Sequence, residues 1–365
     1  MQKRKIHYIA FMNQSGYSQA AQDYLLALYR SGKYDIKLTI FGDKPSRRAV
    51  SDERYSIFMK MTEEEENDDR IQIYHCIPTL QKRVKKLHKN IGFAVYETFD
   101  PPRPWVDILN TNDALIVPSQ FNYKIFAHEN INKPIFYIPH CIDFELYNDN
   151  VRPLSKYNKF TFLFIGTWKI RKGYKQLIES WYSEFTNKDN VQLCIKTDKP
   201  KEAQAYINNY KKKNRINEGF APLFLETKVL DEKSMPSFIK SFDCLVIPTS
   251  GEGFNIPSIQ AMALGVPVII TDCGGCQEHA TEETATLLKP EGYIFHQQMD
   301  GIPQFNSRKW AFLTVNQIRK KMREVFENYQ EAKNKTKYAR ECVENKFNYS
   351  KIENYFEEMI GNLYG

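Results

Sequence analysis

The sequence lacks an apolar run long enough to cross a membrane. None of its 365 residues belongs to an 18-residue apolar stretch, whereas a spanning helix needs about 20 such residues. The first eleven residues are basic and then apolar, but a polar segment at 13–15 follows where a signal peptide would continue its apolar core. We therefore expect residues 5–11 to form a first strand and the protein to be cytoplasmic.

Cysteine is scarce and scattered. The chain has seven cysteines, an odd number, and only Cys273 and Cys276 lie close together. This pattern is typical of a reducing compartment. A zinc site would require a second pair of ligands at similar spacing, which the sequence does not have. We therefore do not expect a redox or zinc site at Cys273 and Cys276.

An acidic metal-binding motif is also absent. No Asp-x-Asp sequence stands at the end of a predicted strand, and Asp198, which follows the apolar run 193–197, stands alone. We therefore predict neither a metal site nor a required cofactor.

Predicted strands and helices alternate along both halves of the chain. At 365 residues with 42% apolar content, the chain is long enough for two domains with separate cores. Short apolar runs bounded by polar or proline-containing loops predict strands, which we place at residues 5–11, 36–41, 71–76, 91–96, 114–117, 135–138 and 160–166. The alternation predicts an α/β fold with doubly wound sheets, with a first domain at 1–151 and a second at 152–340.

Residues 252–260 form the most informative motif. A turn after a predicted strand leads into a helix at 257–265 that is rich in alanine and methionine. The start of a helix offers free N–H groups and the positive end of its dipole, which bind phosphate, and Gly253 lets backbone approach a ligand closely. Glu252 would repel a phosphate, so we expect it to accept hydrogen bonds from sugar hydroxyls. Gln260, further along the helix, can bond a ribose hydroxyl.

Residues 252–270 resemble the nucleotide-sugar signature of glycosyltransferase family 4, E-G-F-G-x-P-x-x-E-A-M-A-x-G-x-P-V-I, with Gln260 in place of the second carboxylate. The resemblance implies a GT-B architecture, in which two Rossmann-like domains face a cleft and residues 341–365 pack back on the first domain. It also implies retaining transfer of a sugar from a nucleoside diphosphate sugar to a hydroxyl of a glycan, lipid-linked glycan or other glycoconjugate. The donor diphosphate would lie against the backbone of Gly253, Phe254, Asn255 and Ile256.

A basic loop follows the first strand of the second domain. Lys172 and Gly173 match a lysine-glycine pair with which family 4 enzymes bind the donor diphosphate. The family's arginine is replaced by Thr167, so Arg171 is the candidate for its role. Fixed cations suit this task because the leaving nucleoside diphosphate gains negative charge as the glycosidic bond breaks. The resemblance thus implies that Arg171 and Lys172 are catalytic together with Glu252.

The first domain offers further candidates. Gly16 resembles the family's glycine turn after the first strand, where backbone approaches donor phosphate or acceptor. Many relatives carry a histidine near the position of Glu97, which we expect to bind acceptor hydroxyls or to stabilise positive charge on the sugar. His75, at the end of a predicted strand, is a second acceptor-side candidate, although a lone histidine there is more often structural.

One basic segment and two departures from the family pattern leave other functions open. Residues 79–91 predict a helix with one apolar face and one basic face, which suits a solvated surface or peripheral contact with an anionic membrane or polyanion. Such a basic surface could also bind DNA, which would permit the same sugar transfer to a modified base. In a third alternative, Gln260 and Thr167 mark an inactive partner that binds or stabilises an active transferase. The oligomeric state, the donor base and the sugar stay open.

Overall fold

The chain divides into two compact units, each with its own parallel sheet. The computed structural model describes residues 3–47, 50–65, 69–81 and 89–365. The first unit contains Met1–Phe144, Leu230–Lys233 and Glu344–Gly365, and the second contains Glu145–Val229 and Ser234–Val343. The sequence patterns gave no sign that Leu230–Lys233 would belong to the first unit.

The first unit is built on six parallel strands. They are β1 (Arg4–Phe11), β2 (Tyr34–Phe41), β3 (Ile71–His75), β4 (Asn90–Phe93), β5 (Ala114–Val117) and β6 (Ile135–Tyr137). Their order across the sheet is β2-β1-β3-β4-β5-β6. The helices of this part of the chain are α1 (Gly16–Arg30), α2 (Asp52–Glu63), α3 (Pro78–Gln81), α4 (Arg103–Leu109) and α5 (Gln120–His128).

The second unit repeats this plan. Its strands are β7 (Phe160–Ile165), β8 (Val191–Lys196), β9 (Leu223–Glu226), β10 (Cys244–Ile247), β11 (Val268–Thr271) and β12 (Thr286–Leu288). They form a parallel sheet in the order β12-β11-β10-β7-β8-β9. The helices are α6 (Tyr174–Glu184), α7 (Pro200–Lys213), α8 (Ser234–Ile239), α9 (Ile256–Ala263) and α10 (Val315–Glu327).

The described residues also form a hairpin, two further α-helices and three short 3₁₀ helices, Ile170–Lys172, Gly274–Glu278 and Pro303–Phe305. A hairpin of β13 (Gly292–His296) and β14 (Arg308–Phe312) pairs antiparallel, outside the six-stranded sheets. Helix α11 (Tyr329–Lys346) follows α10, and α12 (Tyr349–Tyr364) ends the chain. Helix α12 packs on α1 in the first unit, where Ile352, Phe356 and Met359 join one apolar core with Leu25 and Leu28.

Continuous apolar runs in the sequence correspond to the strands of these sheets. Parallel strands are buried on both faces and therefore read as continuous apolar runs, as in β5 and β10, whose four residues are all buried. The predicted doubly wound α/β fold is confirmed. Among the described residues, no helix combines the length and apolar character that crossing a membrane requires.

The structure corrects two local predictions. Residues 13–18 follow the first strand and are predicted to be a turn, but helix α1 already begins at Gly16. The Ser15 side chain caps this helix by accepting a hydrogen bond from Ser18 N. The predicted basic helix at 79–91 is wrong at its end, since Asn90 and Ile91 lie in β4. Residues 82–88, which carry most of its basic side chains, lie outside the described residues.

Candidate functional site

The candidate site lies at the carboxyl ends of β7 and β10, which are neighbours in the second sheet. The chain leaves β7 toward β8 on one side, whereas β10 leads to β11 on the other side. In doubly wound sheets, ligands bind in the crevice that forms where the strand order reverses in this way. Both sequence motifs of the second domain, the loop after β7 and the loop before α9, fall at this position.

The loop after β7 folds onto the loop after β10 through its backbone. The carbonyl oxygen of Arg171 accepts hydrogen bonds from Ser250 N at 2.7 Å and from Thr249 Oγ1 at 3.0 Å. Gly173 permits this approach: its φ is 77°, and a Cβ there would lie 1.9 Å from the oxygen of Pro248. Any larger residue at 173 would therefore push the two loops apart.

A third loop supports the other side of the motif. Gly275 N donates a hydrogen bond to the carbonyl oxygen of Glu252 at 2.8 Å, and a Cβ on Gly275 would lie 1.9 Å from the oxygen of Gly253. Cys273 and Cys276 flank this contact as buried free thiols, and burial raises the pKa of Cys273. The glycines between these cysteines thus have a packing role that their spacing alone did not reveal.

Glu252 is the centre of the site. Lys172 Nζ lies 2.6 Å from Glu252 Oε1, and Arg171 Nη1 lies 3.3 Å from Glu252 Oε2 and 3.1 Å from the carbonyl oxygen of Gly251. Glu252 is only 4% exposed. Burial would raise the pKa of its carboxyl, but Lys172 and Arg171 outweigh burial and lower it. Glu252 is therefore ionised at neutral pH.

Asn255 connects this carboxylate to the start of α9. Its Nδ2 donates to Glu252 Oε1 at 3.2 Å, and its Oδ1 accepts from Ser258 N at 3.1 Å as the helix N-cap. The φ of Asn255 is 81°, in the left-handed region, which asparagine adopts more readily than most residues. This explains why asparagine can stand where the family motif has glycine.

The remaining donor-side candidates line the same helix. Phe254 and Ile256 are buried at 2% and 5% exposure, and Gly253 is buried between them and Glu252. Gln260 lies in α9, 4% exposed. The structure therefore brings Arg171, Lys172 and Glu252 together with the backbone of residues 253–256. Thr167, which replaces the family's arginine, is exposed at the end of β7.

Sequence reasoning missed one charged residue of the site. Asp300, in the loop that joins β13 to β14, forms an ion pair with Arg171 at 3.4 Å between Asp300 Oδ2 and Arg171 Nε. The only local signal was the Asp-Gly pair at 300–301, which predicts a turn. Asp198 has a structural role, because its Oδ1 accepts from Trp168 N at 2.7 Å. Within the described residues, no cluster of three or more His, Cys, Asp or Glu could hold a metal ion.

The acceptor-side candidates belong to the first unit. Gly16 is the exposed first residue of α1. His75 is 0% exposed, its Nδ1 lies 2.6 Å from Tyr8 Oη, and its ring stacks on Phe93 with centroids 3.9 Å apart. Burial lowers the pKa of His75 well below its usual value, and His140 lowers it further. Glu97 is half-buried and close enough to Tyr17 to contribute to raising the pKa of that phenol. The roles proposed for Gly16, His75 and Glu97 stay predictions.

Comparison with known proteins gives three findings. Residues 159–298 match the family model for glycosyl transferases group 1. An 81-residue stretch is 32% identical to the lipopolysaccharide core biosynthesis mannosyltransferase LpsB of Rhizobium meliloti (strain 1021), which is 20% of this chain and 23% of that protein. The chain thus matches about a quarter of the length of this curated relative.

The structural matches extend over the whole chain. HepE from Anabaena, solved in complex with UDP and glucose, has a TM-score of 0.70 at 12% identity, covering 99% of this chain and 100% of that one. Sucrose-phosphate synthase from Thermosynechococcus elongatus has a TM-score of 0.71 at 14% identity, covering 99% of each chain. At these identities the likeness concerns the fold alone: the two parallel six-stranded sheets with their helices match GT-B structures. Residues 159–298 thus match the glycosyl transferases group 1 model within a chain of GT-B fold.

Proposed function

We propose that this protein is a family 4 glycosyltransferase that moves a sugar, with retention, from a nucleoside diphosphate sugar to an acceptor hydroxyl. The observation that carries the proposal is the convergence of two cations, Arg171 and Lys172, on Glu252 beside the N-terminus of α9. A helix N-terminus beside fixed cations attracts a diphosphate. A carboxylate held ionised beside them suits hydroxyl groups of a sugar.

Each residue has a distinct part in the proposed reaction. Lys172, Arg171 and the backbone N–H groups of residues 253–256 hold the diphosphate, Glu252 accepts hydrogen bonds from the sugar, and Gln260 bonds the ribose. In the free protein the two cations neutralise Glu252. An incoming diphosphate competes for them, so both cations are already in place when charge develops on the leaving group.

Bond changes in the proposed step balance without a further reagent. The bond between the sugar's anomeric carbon and the diphosphate oxygen breaks, and a bond to the acceptor oxygen forms on the same face. The acceptor proton passes to the leaving phosphate. Displacement by an enzyme carboxylate is not favoured, because that mechanism uses a pair of carboxyl groups about 5–5.5 Å apart, and Gln260 replaces the second one in this motif. We also propose that no divalent ion is required, since Arg171 and Lys172 supply the positive charge.

The acceptor is proposed more broadly, as a hydroxyl group of a glycan, lipid-linked glycan or other glycoconjugate. HepE was solved with UDP and glucose, and LpsB is named a mannosyltransferase. A donor panel should therefore begin with UDP-glucose and extend to other nucleoside diphosphate hexoses.

Thermal unfolding against that panel, with and without EDTA, tests the proposal. A ligand present at 100 times its dissociation constant stabilises the folded state by about 2.7 kcal/mol. We expect one nucleotide family to raise the midpoint, EDTA to leave the shift unchanged, and the stabilising donor to turn over. Binding without turnover on any acceptor would favour the inactive-partner alternative. No shift with any nucleotide would overturn the donor site, and loss of the shift in EDTA would overturn metal independence.

A further inference from the structure

The buried carboxylate of Asp300 contacts Arg171. Asp300 Oδ2 is 3.4 Å from Arg171 Nε, and Asp300 Oδ1 accepts a hydrogen bond from the backbone N–H of Arg171 at 3.3 Å. The Asp300 side chain is 0% exposed. The carboxylate therefore contacts both the backbone and the guanidinium of the same residue, which restricts the rotamers that the arginine can adopt.

The hairpin loop holds Asp300 in place. Asp300 and Gly301 form a turn with φ angles of 60° and 67°, and the Asp300 carbonyl oxygen accepts a hydrogen bond from Lys169 Nζ at 3.2 Å. From the same loop, Phe305 places its ring centroid 5.7 Å from Arg171 Cζ and packs on Trp310. Arg171 is thus bounded by Asp300 and Phe305 of the hairpin and by Glu252 of the donor loop.

The charges around Arg171 make its role testable. Arg171, Lys172, Glu252 and Asp300 carry two positive and two negative formal charges, which cancel. If Asp300 were only a counter-charge, its removal would make the site more positive and strengthen diphosphate binding. If Asp300 holds the guanidinium in a working orientation, its removal would weaken diphosphate binding, because a misplaced cation interacts poorly.

We propose that Asp300 is a positioning residue that directs the Arg171 guanidinium toward the donor diphosphate, so that the β13–β14 hairpin is part of the donor site. The inference rests on the proposed function. It assigns a role to a residue about 130 positions away from Arg171 in the sequence, one that the motif does not contain.

Asp300→Asn separates the two roles. Asparagine keeps the size of the side chain and accepts the left-handed backbone. The substitution removes the charge and replaces one of the two acceptor oxygens by an NH2 donor, so the side chain can no longer accept from both the backbone and the guanidinium of Arg171. Asp189→Asn is the matched control: Asp189 also pairs with an arginine, Arg323 at 2.7 Å, but at the amino end of β8, away from the site. Calorimetric titration with UDP and with UMP, together with kcat and KM for the donor, gives the readout.

We expect Asp300→Asn to weaken UDP binding on the order of 10- to 100-fold, to change UMP binding much less, and to lower kcat. Asp189→Asn should leave both affinities unchanged. In an Arg171→Ala background, Asp300→Asn should cause little further loss, because the two residues act as one unit. Equal or tighter UDP binding by Asp300→Asn, or additive losses in the double variant, would overturn the inference.

Asp300→Gly provides a second variant if Asp300→Asn fails to fold, since glycine adopts a φ of 60° without strain, and the same losses are expected. Wild-type protein that binds no nucleoside diphosphate would overturn the proposed function and this inference with it. Wild-type protein that binds UDP, with both Asp300 variants binding it equally well, would overturn the inference alone.

Discussion

Two clusters of charged side chains, one in each unit, shift the pKa of a buried carboxyl group in opposite directions. In the first unit, the Arg54 cluster consists of Arg54, Asp23, Asp143 and Glu232. In the second, the donor cluster consists of Arg171, Lys172, Glu252 and Asp300. Burial raises the pKa of Asp23 to about 7, whereas the pKa of Glu252 is lowered.

The ratio of cations to acids explains the difference. Glu252 meets two cations at 2.6 and 3.3 Å. Asp23 meets Arg54 at 3.7 Å, and Asp143 and Glu232 share that guanidinium at 2.6 and 3.2 Å. Arg30 lies 3.1 Å from Asp143, so three acids share two cations here, against two acids and two cations in the donor cluster. Removing carboxylates from water is costly unless opposite charge compensates for it. The donor cluster therefore keeps its carboxylate ionised, which suits the proposed hydrogen bonds to a sugar. The Arg54 cluster joins segments of the first unit, including Leu230–Lys233.

Removing Arg54 should have the largest effect. Arg54→Met removes the cation that the buried Asp23 and Asp143 share with Glu232, although Asp143 keeps Arg30 at 3.1 Å. Breaking a buried ion pair costs about 3–5 kcal/mol. Urea unfolding measures the loss. The control Arg103→Met removes an exposed pair with Asp107, worth about 0.3–0.5 kcal/mol. Equal losses in the two variants would show that the Arg54 cluster does not stabilise the fold.

The raised pKa of Asp23 predicts a pH dependence of stability. Its pKa is about 7 in the folded protein against an ordinary value of 3.8, so between these values the folded state binds more protons than the unfolded state. Stability contributed by Asp23 therefore falls as pH rises from about 4 to about 7, by at most about 1.4 kcal/mol per pH unit.

Asp23→Asn should remove this slope and gain stability at pH 7, because the amide oxygen can still accept the hydrogen bond from Tyr349 Oη. Urea unfolding at several pH values compares the variant with the wild type. Glu252 contributes in the opposite sense: its lowered pKa gives stability above about 4.5 that is lost as pH falls. Parallel pH profiles of Asp23→Asn and wild type would contradict the assignment.

The smallest effect concerns Gln260. Gln260→Glu restores the family's second carboxylate, and a charge-assisted hydrogen bond to a ribose hydroxyl is about twice as strong as a neutral one. We expect roughly 1 kcal/mol tighter binding of the donor nucleotide, a factor of about five. Calorimetry with the 2′-deoxynucleotide serves as the control, since it lacks a hydroxyl. A variant that binds both nucleotides as the wild type does would show that Gln260 does not contact the ribose.

Local patterns predicted the sheets and pointed to the residues that the structure brings together around Glu252. Strands such as Ala114–Val117 are continuous apolar runs. Glu252 lies in the loop after one such run, and Arg171 and Lys172 lie in a short 3₁₀ helix, Ile170–Lys172, after another. The roles of Asp300 and Glu232 could not be predicted from local patterns, because each forms an ion pair with an arginine about 130 or more residues away in the sequence. Whether such a residue is buried depends on how its loop packs in the folded chain. The composition of the loop does not show this, because an exposed loop can contain the same charged residues.

The most direct test of the donor site compares Lys172→Met with the wild type in calorimetric titrations of the stabilising nucleoside diphosphate and of the free nucleoside. Methionine retains an apolar chain of similar length and lacks only the ammonium group that lies 2.6 Å from Glu252. We predict that diphosphate affinity falls by about tenfold or more, as expected for a lost charge-assisted contact, while nucleoside affinity is unchanged. Equal diphosphate affinity in the two proteins would contradict the assignment of this loop as the donor site.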